Sequence, residues 1–195
     1  YCLRDMQTLA IVLVLGGFFG LLMLGGVAYY VMSLYNRLVR VDERVDNAWS
    51  DIDVKLKQRQ DMLGKLVDTV KQAMDYEKST LQKLVEARES AQQASTPEEH
   101  AKAGEKVKQA LAGLNIDARQ EAYPDLQATD NIQQLQNEIA TIEEEISDRR
   151  EVYNEAVTSY NTIIRQVPYV VIANPMGYQR RELFEAPESE TADVD

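Results

Sequence analysis

Apolar and polar positions in this chain follow two regimes, and the border between them sets its class. From Thr8 to Leu34 the residues read TLAIVLVLGGFFGLLMLGGVAYYVMSL, and no charge lies between Asp5 and Arg37. As a helix this run reaches roughly 40 Å at about 1.5 Å per residue, more than the roughly 30 Å hydrocarbon core of a bilayer. A lone segment in lipid must satisfy its backbone polar groups internally, so the pattern predicts a transmembrane helix within an anchor region, residues 1–35. A secretory signal is the rival reading, but its apolar core runs only about 7–15 residues before a small-residue cleavage site. Here Tyr29, Tyr30 and Tyr35 stand at the exit, as tyrosines do at a membrane–water interface.

Beyond Tyr35 the period changes to that of packed helices. Leu34, Leu38, Val41, Val45, Ala48 and Ile52 recur in steps of three and four, and no glycine or proline interrupts the chain between Ser33 and Leu63, so the first soluble helix is expected to run unbroken out of the membrane. Gly64 is the expected break. A second helix is predicted from about Lys65 to Ala94, with Leu66, Val70, Met74, Leu81 and Leu84 on its seam. The third starts at Thr96-Pro97-Glu98-Glu99, where Thr96 can cap, Pro97 suits the first helical position and Glu99 closes a capping box; it should end near Gly113. Asp130 with Gln133 can cap the last helix. That helix carries a strict heptad: Ile132, Leu135, Ile139, Ile142, Ile146, Arg149, Tyr153, Ala156, Tyr160, Ile163 and Val167. The fold class that follows is all-α: the transmembrane helix, then an antiparallel, coiled-coil-like and most simply four-helix bundle over residues 36–168. Residues 169–195 form an extension with a strand-like apolar run, Tyr169-Val-Val-Ile-Ala, and a tail.

Charges on the seams are the exceptions. Continuing the heptads puts Arg59 on the first seam, Glu77 and Arg88 on the second and Arg149 on the last. Buried charges cost several kcal/mol each unless paired, so these four either meet in an ionic layer, with Glu77 as the bridging acid, or snorkel to the edge on long stems. Tyr153-Asn154 and Tyr160-Asn161 repeat one heptad apart. The tyrosines suit the seam with their hydroxyls at its edge; Asn154 and Asn161 form either a polar stripe for a partner or a solvated face. Trp49, beside Ala48 and Ile52, reads as core packing. In the span, Gly16 and Gly20 are a GxxxG pair through which two such helices can approach.

Catalytic chemistry is not visible. The one histidine, His100, lies in the first turn of the third helix and is expected at the solvent surface. Pro97 stands three residues before it, so the Glu-x-x-His pair of a di-iron bundle is missing. No HExxH, P-loop or nucleophile–base set occurs, and Glu143, Glu144 and Glu145 read as a solvated face. No metal, cofactor or small-molecule substrate is implied. A formal net charge of −11 argues against nucleic-acid binding. The stretch from Glu182 to Asp195 holds six acids and no base, the composition of a disordered tail.

Flanking charge gives orientation. Arg4 alone precedes the span, whereas Arg37, Arg40, Arg44, Lys55, Lys57 and Arg59 follow it, which places the large domain in the cytoplasm. Cys2 precedes the apolar run, so it does not fit a lipoprotein site. It reads as an idle thiol, with acylation the lesser alternative. The chain opens on Tyr1 rather than Met, consistent with a trimmed or processed start.

Several motifs together carry a resemblance. Tyr35-Asn-Arg-Leu-Val, the stretch from Arg44 through Asn47-Ala-Trp-Ser to Arg59, Leu66-Val-Asp-Thr-Val-Lys, Glu121-Ala-Tyr-Pro-Asp-Leu126, the Arg149…Tyr153-Asn…Tyr160-Asn161 series and the closing Gly177…Leu-Phe-Glu-Ala186 resemble the LemA family of membrane proteins, over about residues 20–186. Gly64-Lys65 departs from the Pro-Asn usual there. The resemblance implies one span and a helical-bundle domain in the cell membrane. It brings no established activity, and it associates some members with membrane metalloproteases or envelope-stress systems. The expectation is a membrane-anchored scaffold or adaptor for other membrane proteins. The alternatives are a homo-oligomeric structural protein and, least favoured, an enzyme with an unrecognised site around Glu77 and Arg149.

Overall fold

Every element of the computed structural model is helical. It describes residues 2–72, 78–114 and 126–185, with side chains from residue 15 in the first helix and from residue 130 in the fourth. The helices are α1 (Cys2–Gln72), α2 (Lys78–Gln93), α3 (Pro97–Ala112), α4 (Leu126–Ile163) and the single turn α5 (Val170–Ala173). No strand occurs among the described residues. Their contacts fall into two units, residues 1–43 with 160–180, and residues 44–159 with 181–195.

In the first unit every α1 side chain from Leu15 to Ser33 is exposed. Burial begins at Leu34 and recurs at Leu38 and Val41, the heptad expected from sequence. Tyr160, Ile164 and Ala173 are buried in the same unit. The Tyr160 hydroxyl donates to the Gln179 carbonyl at 3.0 Å, and its ring lies 6.4 Å from that of Tyr178. The Tyr169 stretch, expected to be strand-like, is helical instead. Ile172 and Ala173 donate their backbone N–H groups to the Tyr169 carbonyl, at 3.0 and 2.8 Å. With no described strand to pair with, the backbone satisfies itself in local turns.

The second unit is built on the continuing seam of α1: Val45, Ala48, Ile52, Leu56, Leu63, Leu66 and Val70 are buried. The break expected at Gly64 is absent, and α1 continues to Gln72. A helical glycine costs about 0.5–1 kcal/mol relative to alanine. Full burial of one Leu or Val returns roughly 1.5–3 kcal/mol, and Leu63, Leu66, Val67 and Val70 are all buried around it. Leu66 and Val70 thus belong to α1, not to a second helix, and Met74 lies outside the described residues.

Cross-contacts give the helix directions. Gln60 of α1 donates to the Ala91 carbonyl of α2 at 2.8 Å, and Gly64 faces Arg88, so these helices run antiparallel. Along α1 and α4, Asp51 meets Arg149, Lys55 meets Glu145 and Arg59 meets Glu143; one numbering rises as the other falls. Gln136 of α4 reaches the Leu111 carbonyl near the end of α3 at 3.3 Å. Small residues of α2 and α3, among them Ala87, Ala91, Ala103 and Ala110, lie in one core with Leu84, Val107, Ile132 and Ile139.

Both ends of α3 follow the sequence reading. The Thr96 side chain accepts from the Glu99 N–H, and the Glu99 carboxylate accepts from the Thr96 N–H. Gly113 caps the C-terminus and donates its N–H to Gln109. The start of α4 does not follow: the helix begins at Leu126, so Asp130 lies inside it. Its seam also changes phase. Beyond Tyr153 the buried positions are Val157, Tyr160 and Ile164, not Ala156, Ile163 and Val167. A strict heptad drifts by about 20° per repeat against a straight helix, and an added four-residue step takes up the drift.

Candidate functional site

The second unit holds a polar and aromatic cluster at the level where α1, α3 and α4 meet. Trp49 of α1 supplies its centre. Its ring centroid lies 5.9 Å from His100 of α3, 5.4 Å from Tyr153 of α4 and 6.2 Å from Phe184 of the C-terminal segment. The rings are tilted to one another, within the range of favourable aromatic pairing. His100, expected at the surface, is buried instead. The reason is Trp49, a neighbour that comes from a different helix.

The C-terminal segment is tied down by its backbone. The Tyr153 hydroxyl donates to the Glu182 carbonyl at 3.0 Å. Asn154 takes Phe184 from both sides: the Phe184 N–H donates to Oδ1 at 2.8 Å, and Nδ2 donates to the Phe184 carbonyl at 3.2 Å. Arg181 pairs with Asp46. These bonds seat the Phe184 ring, which is buried, against Trp49. Burial pushes the Tyr153 hydroxyl pKa up, with the charge of Arg181 opposing.

Arg59 is the one charged side chain among the described residues that lies fully in the core, at 1% exposure. Its Nη1 donates to Oε1 of Glu143 at 3.1 Å. Glu143 is only 10% exposed, so it does not belong to a solvated face; Glu145 pairs with Lys55, and Glu144 is the exposed one of the three. Gly104 of α3 makes room for the pair: a Cβ there would lie 3.3 Å from Arg59 Nη1 and 3.4 Å from Glu143 Oε2. Nε and Nη2 of Arg59 and Nδ1 of His100 are buried and find no hydrogen-bond partner among the described residues. A cavity of about 30 Å³ lies among Arg59, His100, Gly104 and Glu143. A water needs roughly 10–15 Å³ of such space and two or more polar partners, so the site suits a water and excludes a metabolite. Burial, and then the charge of Arg59, lower the His100 pKa, while Asp53 and Glu99 pull the other way.

Arg149 and Arg88 lie apart from this pair. Arg149 is 39% exposed, with Asp51 at 4.0 Å. Arg88 is half-buried beside Gly64, its Nε without a partner among the described residues. Glu77 lies outside the described residues. Asn161 is half-buried, like Asn154. No group of three or more metal-ligating side chains occurs among the described residues.

Trp49, His100, Tyr153 and Phe184 all lie within the region, residues 48–195, that matches the family model described as the LemA family. The chain belongs to the LemA family. It is similar to Protein LemA of Metamycoplasma hominis, 28% identical over 172 residues, covering 87% of this chain and 78% of that protein. It is also similar to Magnetosome protein MamQ 2 of Paramagnetospirillum magneticum, 35% identical over 72 residues, and to Magnetosome protein MamQ of Magnetospirillum gryphiswaldense, 31% identical over 72 residues. Those two matches cover 36% of this chain and only 26% of each magnetosome protein. As a LemA-family member with a long apolar N-terminal helix, the protein is membrane-associated.

Proposed function

We propose that this LemA-family protein is a non-enzymatic scaffold or adaptor of the cell membrane, anchored by one span, whose helical domain faces the cytoplasm and binds other membrane proteins. The observation that carries this reading is the described apolar part of α1: from Leu15 to Ser33 every side chain is exposed and none is charged, in a helix that runs on to Gln72. A soluble helix of that composition would be buried on at least one face. Excess Lys and Arg after the span supports the cytoplasmic orientation. Among the described residues, the space around His100 and the Arg59–Glu143 pair has room for a water only, which favours a binding role over chemistry on a substrate there. The test is in situ crosslinking of the tagged chain in its native membrane, with products identified by mass spectrometry. A reproducible heterologous membrane partner supports the adaptor; its absence under conditions that capture known neighbours overturns it.

A second reading rests on Gly16 and Gly20. A Cβ built at either meets nothing within 4 Å, so that side of α1 is open to a second copy packing through small residues. Crosslinks to itself alone, lost in a Gly16→Ile/Gly20→Ile variant, would favour a homo-oligomeric structural protein.

A further inference from the structure

We propose that residues 165–178, the turn that carries α5, form a second membrane contact: a short segment seated in the headgroup layer of the leaflet from which α1 emerges. This rests on the single-span reading above.

Position comes first. Leu34 is the first buried side chain after the exposed apolar run, and it shares its unit with residues 160–180. The guanidinium of Arg37, the first charge beyond the span, lies 5.7 Å from the centroid of the Tyr169 ring. Three residues of helix separate Leu34 from Arg37, a rise of about 4.5 Å. Tyr169 therefore sits within reach of an arginine side chain from the end of the span.

Chemistry comes second. Val167, Val171 and Met176 are 81%, 71% and 54% exposed, on a segment that is not followed or preceded by an acid anywhere between Glu155 and Glu182. The bases in that interval are Arg165, Arg180 and Arg181; on α1 just beyond the span stand Arg37 and Arg40, and Asp42, whose charge acts on Tyr178, is the acid that faces the segment. In a chain of net charge −11, this acid-free stretch is an exception. Exposed aliphatic side chains with arginines around them, at the end of a span, fit an anionic lipid surface. Interfacial segments of this kind bury their apolar side about 5–10 Å into the boundary, and basic residues next to a span are attracted to anionic lipid. The occupant is the bilayer itself, because these exposed aliphatic side chains share one unit with the end of the apolar run, whose own side chains are exposed.

The test uses the whole chain reconstituted in vesicles of phosphatidylcholine and phosphatidylglycerol. In a Cys2→Ser background, single cysteines at Val171, Leu24 and Glu151 carry an environment-sensitive fluorophore, and quenching is read with shallow and deep doxyl-labelled lipids. All three positions are exposed, so labelling should leave the helices intact, which circular dichroism checks. Expected is loss of most emission at Val171→Cys with the shallow quencher, at Leu24→Cys with the deep one, and at Glu151→Cys with neither. If Leu24→Cys is quenched while Val171→Cys behaves like Glu151→Cys, the second contact is wrong and the anchor stands. If Leu24→Cys is not quenched, the anchor reading fails and takes this inference with it.

Discussion

Arg59 on α1 is held in the core by Glu143 on α4 through a single hydrogen bond of 3.1 Å, and Gly104 on α3 leaves the space in which they meet. Removing one partner strands a buried charge, which typically costs about 3–5 kcal/mol. Glu143→Ala and Arg59→Ala should each lower stability by about that much, whereas Arg59→Met with Glu143→Leu should recover most of it or exceed wild type. Urea unfolding of all variants in mild detergent measures this. An Arg59→Ala/Glu143→Ala double variant whose loss equals the sum of the two single losses would mean that the pair is not coupled.

His100 gives stability a pH dependence of definite sign. Its folded pKa is held below the ordinary 6.5, by burial first and then by Arg59. The unfolded chain therefore takes up a proton at a pH where the folded chain does not, and stability rises with pH. Its contribution is complete above about 6.5 and is lost as pH falls toward the lower folded value. His100→Phe keeps a ring against Trp49 and removes the titration. Between about pH 7 and pH 5 the melting temperature of the wild type should fall more steeply than that of the variant. Parallel curves would remove His100 from the account.

Asn154 holds the C-terminal segment through two hydrogen bonds to Phe184. Asn154→Ala leaves the buried Phe184 backbone groups unpaired, a cost of roughly 1–3 kcal/mol each. The chain has one tryptophan, and it touches the Phe184 ring. The variant should shift Trp49 emission to longer wavelength and speed proteolysis near Phe184. Unchanged emission with faster proteolysis would place the loss away from the aromatic cluster.

The cap of α3 offers a check independent of the core. Thr96→Ala removes the acceptor for the Glu99 N–H and should cost about 0.5–2 kcal/mol. Thr96→Ser should cost little. Thermal melts of the three proteins decide it; equal losses in the two variants would point to the threonine methyl rather than the cap.

The long apolar helix, the α1 seam and the start of α3 were legible because each is a local pattern. The capping box needs four adjacent residues, and the seam from Leu34 to Ile52 needs only its own periodicity. The site was less legible because its parts come from distant segments. His100 looks like a surface residue within its own helical turn, and it is Trp49, from the distant α1, whose ring packs against it. Glu143 hides in a run of three glutamates, although its place four residues after Ile139 and three before Ile146 marks it as the flank of the seam. Gly64 and the strand-like reading of Tyr169-Val-Val-Ile-Ala misled for one reason: residue preference is a weak local term, and the surrounding burial and the lack of a pairing strand decide the outcome.

The phase change in α4 also limits how this helix can vary in length. Eleven residues separate Ile142 from Tyr153, Ile146 from Val157 and Tyr153 from Ile164, all of them buried. Inserting a residue anywhere between Ile146 and Tyr160 would turn everything beyond it by about 100°, and inserting a full heptad would leave a residual turn of about 20°. Only about eighteen residues, five whole turns, restore the face. Insertions and deletions should therefore be rejected along α4.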